Sequence, residues 1–168
     1  MMVSKPTQDA LMELIKQCFV ENRKFDRMVS VLGVKFACNN SADLIHHSIA
    51  HYYPALSDSI GELCLERYNI PVVYGETPSG AEDFGSVKEI IFSMRDRSVD
   101  FQTMFMGACR IALDNNDLHV YADLSELLSN YNRIVDQTIL LADKIEAYDS
   151  VMAFDHDVNT FWKLEAQA

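Results

Sequence analysis

The stretch HHSIAHYYPALSDSIGELCLER, residues 46–67, places three histidines, an aspartate and two glutamates among apolar residues. Imidazole nitrogen with carboxylate oxygen is a ligand set suited to iron and other first-row divalent metals. On an α-helix turning about 100° per residue, His47, His51, Asp58, Glu62 and Glu66 fall within a band roughly 100° wide. The apolar stripe through Ile45, Tyr52, Leu56 and Leu63 is centred roughly 100° further round, so the polar band skirts the edge of a core. His46 falls off this band and is expected to face solvent. His51 and Glu62 lie about 16 Å apart along the axis, too far to share one ion. A metal site built from both halves of the band therefore requires a second copy of the helix, antiparallel across a two-fold axis. His47 and His51 of one chain would then face Glu62 and Glu66 of the other, with Asp58 as an outer carboxylate. The competing reading is an ordinary polar stripe on an amphipathic helix.

The elements that must carry this band are helical. Only six glycines and four prolines punctuate 168 residues. A first helix opens near Pro6-Thr7 and places Leu11, Leu14, Ile15, Cys18, Phe25, Met28, Val29, Leu32 and Phe36 at helical steps. Residues 38–41 (CNNS) end it, and Ser41 is positioned to cap the second helix, which runs to about Tyr68. Pro54 inside that helix must bend it or remove one hydrogen bond. Residues 70–85 hold two prolines and three glycines and read as a loop. Ser86-Val87-Lys88-Glu89 has the form of a capping box, opening a third helix through Ile90, Ile91, Met94, Phe101, Phe105 and Ile111. Met94, Met104 and Met106 read as its core filling. After the turn at 114–117 (DNND), a fourth helix takes Leu118, Tyr121, Leu124, Leu128, Tyr131, Val135, Ile139, Leu141 and Ile145. Val151, Phe154, Val158, Phe161 and Trp162 fit a short fifth helix, and Asp155-His156-Asp157 within it reads as a solvated face ahead of a metal triplet. Four helices of about 28 residues predict one all-α domain, residues 1–168, built as an antiparallel four-helix bundle.

Composition narrows the partners. A net charge of −11 argues against non-specific nucleic-acid binding, which needs a basic face, and favours cations. No run is long enough to cross a bilayer, and MMVSKPTQ lacks the apolar stretch of a secretory signal. Cys18, Cys38, Cys64 and Cys109 lack CxxC or CxxH spacing, which fits a reducing cytoplasm. Phosphate-loop, dinucleotide, serine-hydrolase and HExxH motifs do not occur.

The pattern His47-x3-His51, ten residues, Glu62-x3-Glu66-Arg67 resembles the second helix of the Dps-type miniferritins, a branch of the ferritin-like superfamily. That family carries His-x3-Asp, ten residues, then Asp-x3-Glu-Arg. Lys35-Phe36 stands where the family has a His-Trp pair, so Lys35 replaces a ligand histidine. Loop 70–85 is short for the extra helix found there in the family, and the chain continues beyond the family's usual end. No Glu-x-x-His occurs, which argues against an in-bundle di-iron centre. The resemblance implies a homodimer, often within a dodecamer, with iron shared between chains at His47, His51, Glu62 and Glu66. It also implies ferroxidase activity using peroxide or oxygen, iron storage and protection from oxidative stress. Zinc or manganese is the alternative metal. The alternative function is a ferritin-like helical bundle without ferroxidase activity, acting as a structural or protein-interaction module.

Overall fold

The computed structural model describes residues 2–167, and among these every regular element is helical. Helix α1 (Lys5–Val34) carries Pro6 in its first turn, where a missing N–H costs nothing. Its entry is tied by Asp117, which accepts Ser4 N–H at 3.3 Å and Ser4 Oγ–H at 2.5 Å.

The second rod is compound: α2 (Asn39–Ile45), a π turn (His46–Ala50), α3 (Tyr52–Leu63) and a second π turn (Cys64–Tyr68). The predicted cap is corrected here. The rod begins at Asn39, Ser41 is buried, and its Oγ has no hydrogen-bond partner. The orphan amides at this end are met by Asp155, whose carboxylate accepts Ser41 N–H at 2.8 Å and Asn40 N–H at 3.3 Å. Asp155 is buried and His156 exposed, so the 155–157 triplet splits between helix capping and solvent.

Residues 69–86 contain no helix and run along α1. Val73 N–H lies 3.3 Å from Met12 Sδ, Lys24 pairs with Glu82, and Lys35 Nζ donates to the Phe84 carbonyl at 2.6 Å. Helix α4 (Val87–Asp114) opens with the expected box: Ser86 Oγ accepts Glu89 N–H, and Glu89 Oε2 accepts Gly85 N–H. Helix α5 (Leu118–Ala147) packs along α4. The end of α1 lies by the start of α4, and the start of α1 lies by the α4–α5 turn, so α1 and α4 are antiparallel. The second rod, joined to α1 by a short turn, runs the same way as α4, and 69–86 is the long connection between them. The packed pairs are compatible with an antiparallel four-helix bundle.

The core is one cluster in which Leu11, Phe25, Tyr53, Met94, Phe101 and Tyr131 are wholly or almost wholly buried. Several apolar residues assigned inward do not reach it: Met106, Ile111, Leu118, Tyr121 and Ile139 are 37–53% exposed. A single isolated domain leaves much apolar surface in water, so a residue at the margin of a helical stripe is free to lie outside. The expected fifth helix forms as α6 (Val151–Asp157) and a 3-10 turn (Val158–Phe161). No helix among the described residues is long and apolar enough to cross a membrane.

Candidate metal centre

Among the described residues, one group of three potential ligands converges: His46, His47 and His51, with donor atoms within 4.8 Å of one another. Ring centroids are 4.8 Å apart for His46–His47, 4.3 Å for His46–His51 and 5.4 Å for His47–His51. His46 is thus a correction to the expected solvent-facing position, and the cause is the π turn. On a continuous α-helix, five steps of about 100° would leave His46 and His51 roughly 140° apart. The π turn bonds residue i to i+5, bringing the fifth residue close to one full turn. Here His51 N–H donates to the His46 carbonyl at 3.2 Å, so the two imidazoles rise from the same side.

Pro54 supplies a reason for the irregularity. It has no N–H to offer the Ala50 carbonyl four residues earlier, and its ring crowds that oxygen. Asn22 Nδ2 of α1 donates to the Ala50 carbonyl at 2.9 Å instead. The carbonyl that Pro54 frees is therefore satisfied from a neighbouring helix. A His-His pair with a third histidine at +5 and a proline at +8 was the sequence signal for His46.

Two carboxylates flank the cluster. Asp26 Oδ1 of α1 lies 3.5 Å from His46 Nδ1, and Asp43 Oδ1, one turn earlier on the rod, lies 3.4 Å from His47 Nε2. Neither aspartate was singled out in the sequence, because neither belongs to the stripe that carries His47 and His51. A carboxylate that hydrogen-bonds one ring nitrogen of a ligand histidine orients the ring and leaves the other nitrogen for a cation; these two lie at the outer edge of that reach. The three donors stand close enough to hold one metal ion after a small adjustment. Two ligands about 2.05 Å from a tetrahedral zinc stand about 3.3 Å apart, so the widest separation here closes by roughly 1.5 Å of side-chain rotation. His46 and His51 are half-buried and His47 is exposed, which leaves the site open on one side.

The remaining stripe residues lie elsewhere. Asp58, Glu62 and Glu66 are exposed and do not join the histidines within the chain. Asp58 and Glu62 line a groove against Pro71 and Tyr74, whereas Glu62 and Glu66 line a second one with Arg67, Asp123 and Glu126. Arg67 Nη1 donates to Asp123 Oδ1 at 2.8 Å, so part of that acidic group is already neutralised.

Lys35 is bonded to Phe84 and lies over the Phe36 ring, 5.3 Å from its centroid. The two tyrosines after His51 point differently. Tyr53 is fully buried in this chain's own core, its hydroxyl 2.9 Å from that of Tyr131, and burial raises its pKa well above the usual phenol value. Tyr52 is half-buried, and burial pushes it up to about 12. Both remain neutral phenols at ordinary pH.

No protein-family model matches this sequence, and no curated protein shows significant similarity to it.

Proposed function

We propose that the protein binds a first-row divalent metal ion through His46, His47 and His51, with Asp26 and Asp43 orienting two of the imidazoles. The convergence of three imidazoles within 4.8 Å on one π turn carries this reading. Three neutral nitrogen ligands suit zinc, cobalt, nickel, copper or Fe(II), and the flanking carboxylates offset the cation's charge. When bound, such an ion supplies Lewis acidity or, if redox-active, an electron. The chain's residues hold it, set the ring tautomers and leave one face open to solvent or to a further ligand.

A ferritin-like bundle acting on iron is the specific form of this reading. Four rods with one long connection between the second and third are the topology such bundles use. Fe(II) oxidation in the manner of the miniferritins calls for carboxylates beside the imidazoles. Glu62 and Glu66 of a second, antiparallel copy would provide them, in a homodimer or a larger cage. A second reading, a helical module without ferroxidase activity, is favoured by Lys35 being bonded to Phe84 and by the absence of helix from 69–86.

Isothermal titration with Zn(II), Co(II) and Fe(II) tests metal binding. One ion per chain is expected, with affinity lost in the His46→Ala/His51→Ala double variant. Binding no tighter than millimolar in the unaltered chain removes the proposal. Stopped-flow Fe(II) oxidation, with sedimentation of the same sample, separates the two forms. A fast phase that disappears in Glu62→Ala/Glu66→Ala favours the ferroxidase, and tight binding without that phase favours the module.

A further inference from the structure

Residues 162–167 leave the last 3-10 turn and cross α5 to reach the second rod. One almost completely buried side chain lays them down: Gln137 Nε2 donates to the Phe161 carbonyl at 3.4 Å, and Gln137 Oε1 accepts Lys163 N–H at 2.7 Å. Further along, Gln167 N–H donates to the His47 carbonyl at 2.9 Å.

That carbonyl is a special acceptor. In a continuous α-helix its donor would be the N–H of His51, four residues on. In the π turn the His51 N–H passes over it to the His46 carbonyl, at 3.2 Å. Gln167 provides that carbonyl with a donor from outside the rod. An α-helical register would return the His51 N–H to the His47 carbonyl, and Gln167 would then share that oxygen's two lone pairs with it and be needed less. The bond from Gln167 therefore favours the π register, the same register that brings His46 onto His47 and His51. Asn22 holds the other side of the turn through Ala50.

We infer that segment 162–167 is a positioning strap for the histidine site: its Gln167 N–H holds the π turn through the His47 carbonyl, so strap docking and metal binding reinforce each other. The inference rests on the metal-binding reading above. Because the coupling is a free energy shared by two events, it must run both ways. A bound ion should hold the strap down, and a released strap should weaken the ion. None of the strap's side chains needs to touch the metal.

Gln167→Pro deletes the donor while leaving every imidazole in place, and Gln167→Ala keeps the N–H and removes only the side chain. Zn(II) binding should weaken in Gln167→Pro, by up to about tenfold, the limit set by the worth of one such bond. Gln167→Ala should bind as the unaltered chain does. In metal-free protein, amide hydrogen exchange of residues 46–51 should quicken in Gln167→Pro. Zn(II) should slow exchange across 162–167 in the unaltered chain. Equal Zn(II) affinity in Gln167→Pro and the unaltered chain overturns the strap alone, and so does an equal loss in Gln167→Ala. An unaltered chain that takes no Zn(II) overturns the metal site and the strap's role together.

Discussion

Asn22 Nδ2 lies 2.9 Å from the Ala50 carbonyl oxygen, the acceptor that Pro54 leaves without a donor. A side chain on α1 thus completes the hydrogen bonding of a broken turn on the second rod. Asn22→Leu should destabilise the fold by about 1–3 kcal/mol, the cost of stranding a buried acceptor. The cost should shrink in a Pro54→Ala background, where residue 54 regains an N–H for Ala50. A double-mutant cycle by urea unfolding checks this, and identical costs in both backgrounds would refute the pairing.

Glu21 is a buried carboxylate with all its partners present. Arg97 Nε and Nη2 donate to its two oxygens at 2.8 and 2.9 Å, and Gln17 Nε2 adds a third bond at 2.9 Å. The Glu21 side chain is 5% exposed and that of Arg97 31%, so the two residues should respond unequally to mutation. Arg97→Ala strands the buried charge and is expected to cost about 3 kcal/mol. Replacing both residues by Leu and Met should cost less than that single change. Denaturant midpoints decide it, and the reverse order would show that the pair stabilises the fold on its own account.

Asp155 stands at the start of α2, more than a hundred residues away in sequence, and does the work of an N-cap. Asp155→Ala should cost about 1–2 kcal/mol, in the range of a lost cap. Asp155→Asn keeps an acceptor and should cost less, losing mainly the attraction of a charge for the helix end. Thermal unfolding monitored by circular dichroism reads the difference. Zn(II) binding should be unchanged in both variants if residues 155–157 take no part in a metal site.

Asp117 gives the fold an acid limit. Burial raises its pKa, but hydrogen bonds from Ser4 and Thr7 and the nearby His119 outweigh that and hold it below the ordinary aspartate value. A carboxylate with a depressed folded pKa contributes stability that is fully present above its unfolded pKa of about 3.9. That contribution fades as pH falls from there through the lower folded value. Asp117→Asn should therefore unfold more easily than the unaltered chain at pH 7, and the gap should narrow below about pH 4. A gap independent of pH would assign the effect to packing.

The helices were legible in the sequence because burial along a helix repeats with the backbone period, a local property of spacing. The start of α4 at Ser86 follows from a local capping box, and Pro6 marks the first turn of α1, whose entry Asp117 then ties from a distance. His47 and His51 could be paired because they are four residues apart on a common face. His46 could not be placed, since its direction depends on a change of register at 46–50. Pro54 hinted at that change, but the sequence does not say which partner takes up the freed carbonyl. Asn22 from α1 takes the Ala50 carbonyl and Gln167 from beyond α6 takes that of His47, and each reaches the rod only once the chain has folded. Ser41 shows the same limit: it has the right chemistry for a cap, yet Asp155 occupies the helix end. Amino-acid order determined which segments are helices and which side chains can ligate a metal. The tertiary structure alone decided which of those side chains meet, because a broken helical turn is held by hydrogen bonds from distant residues.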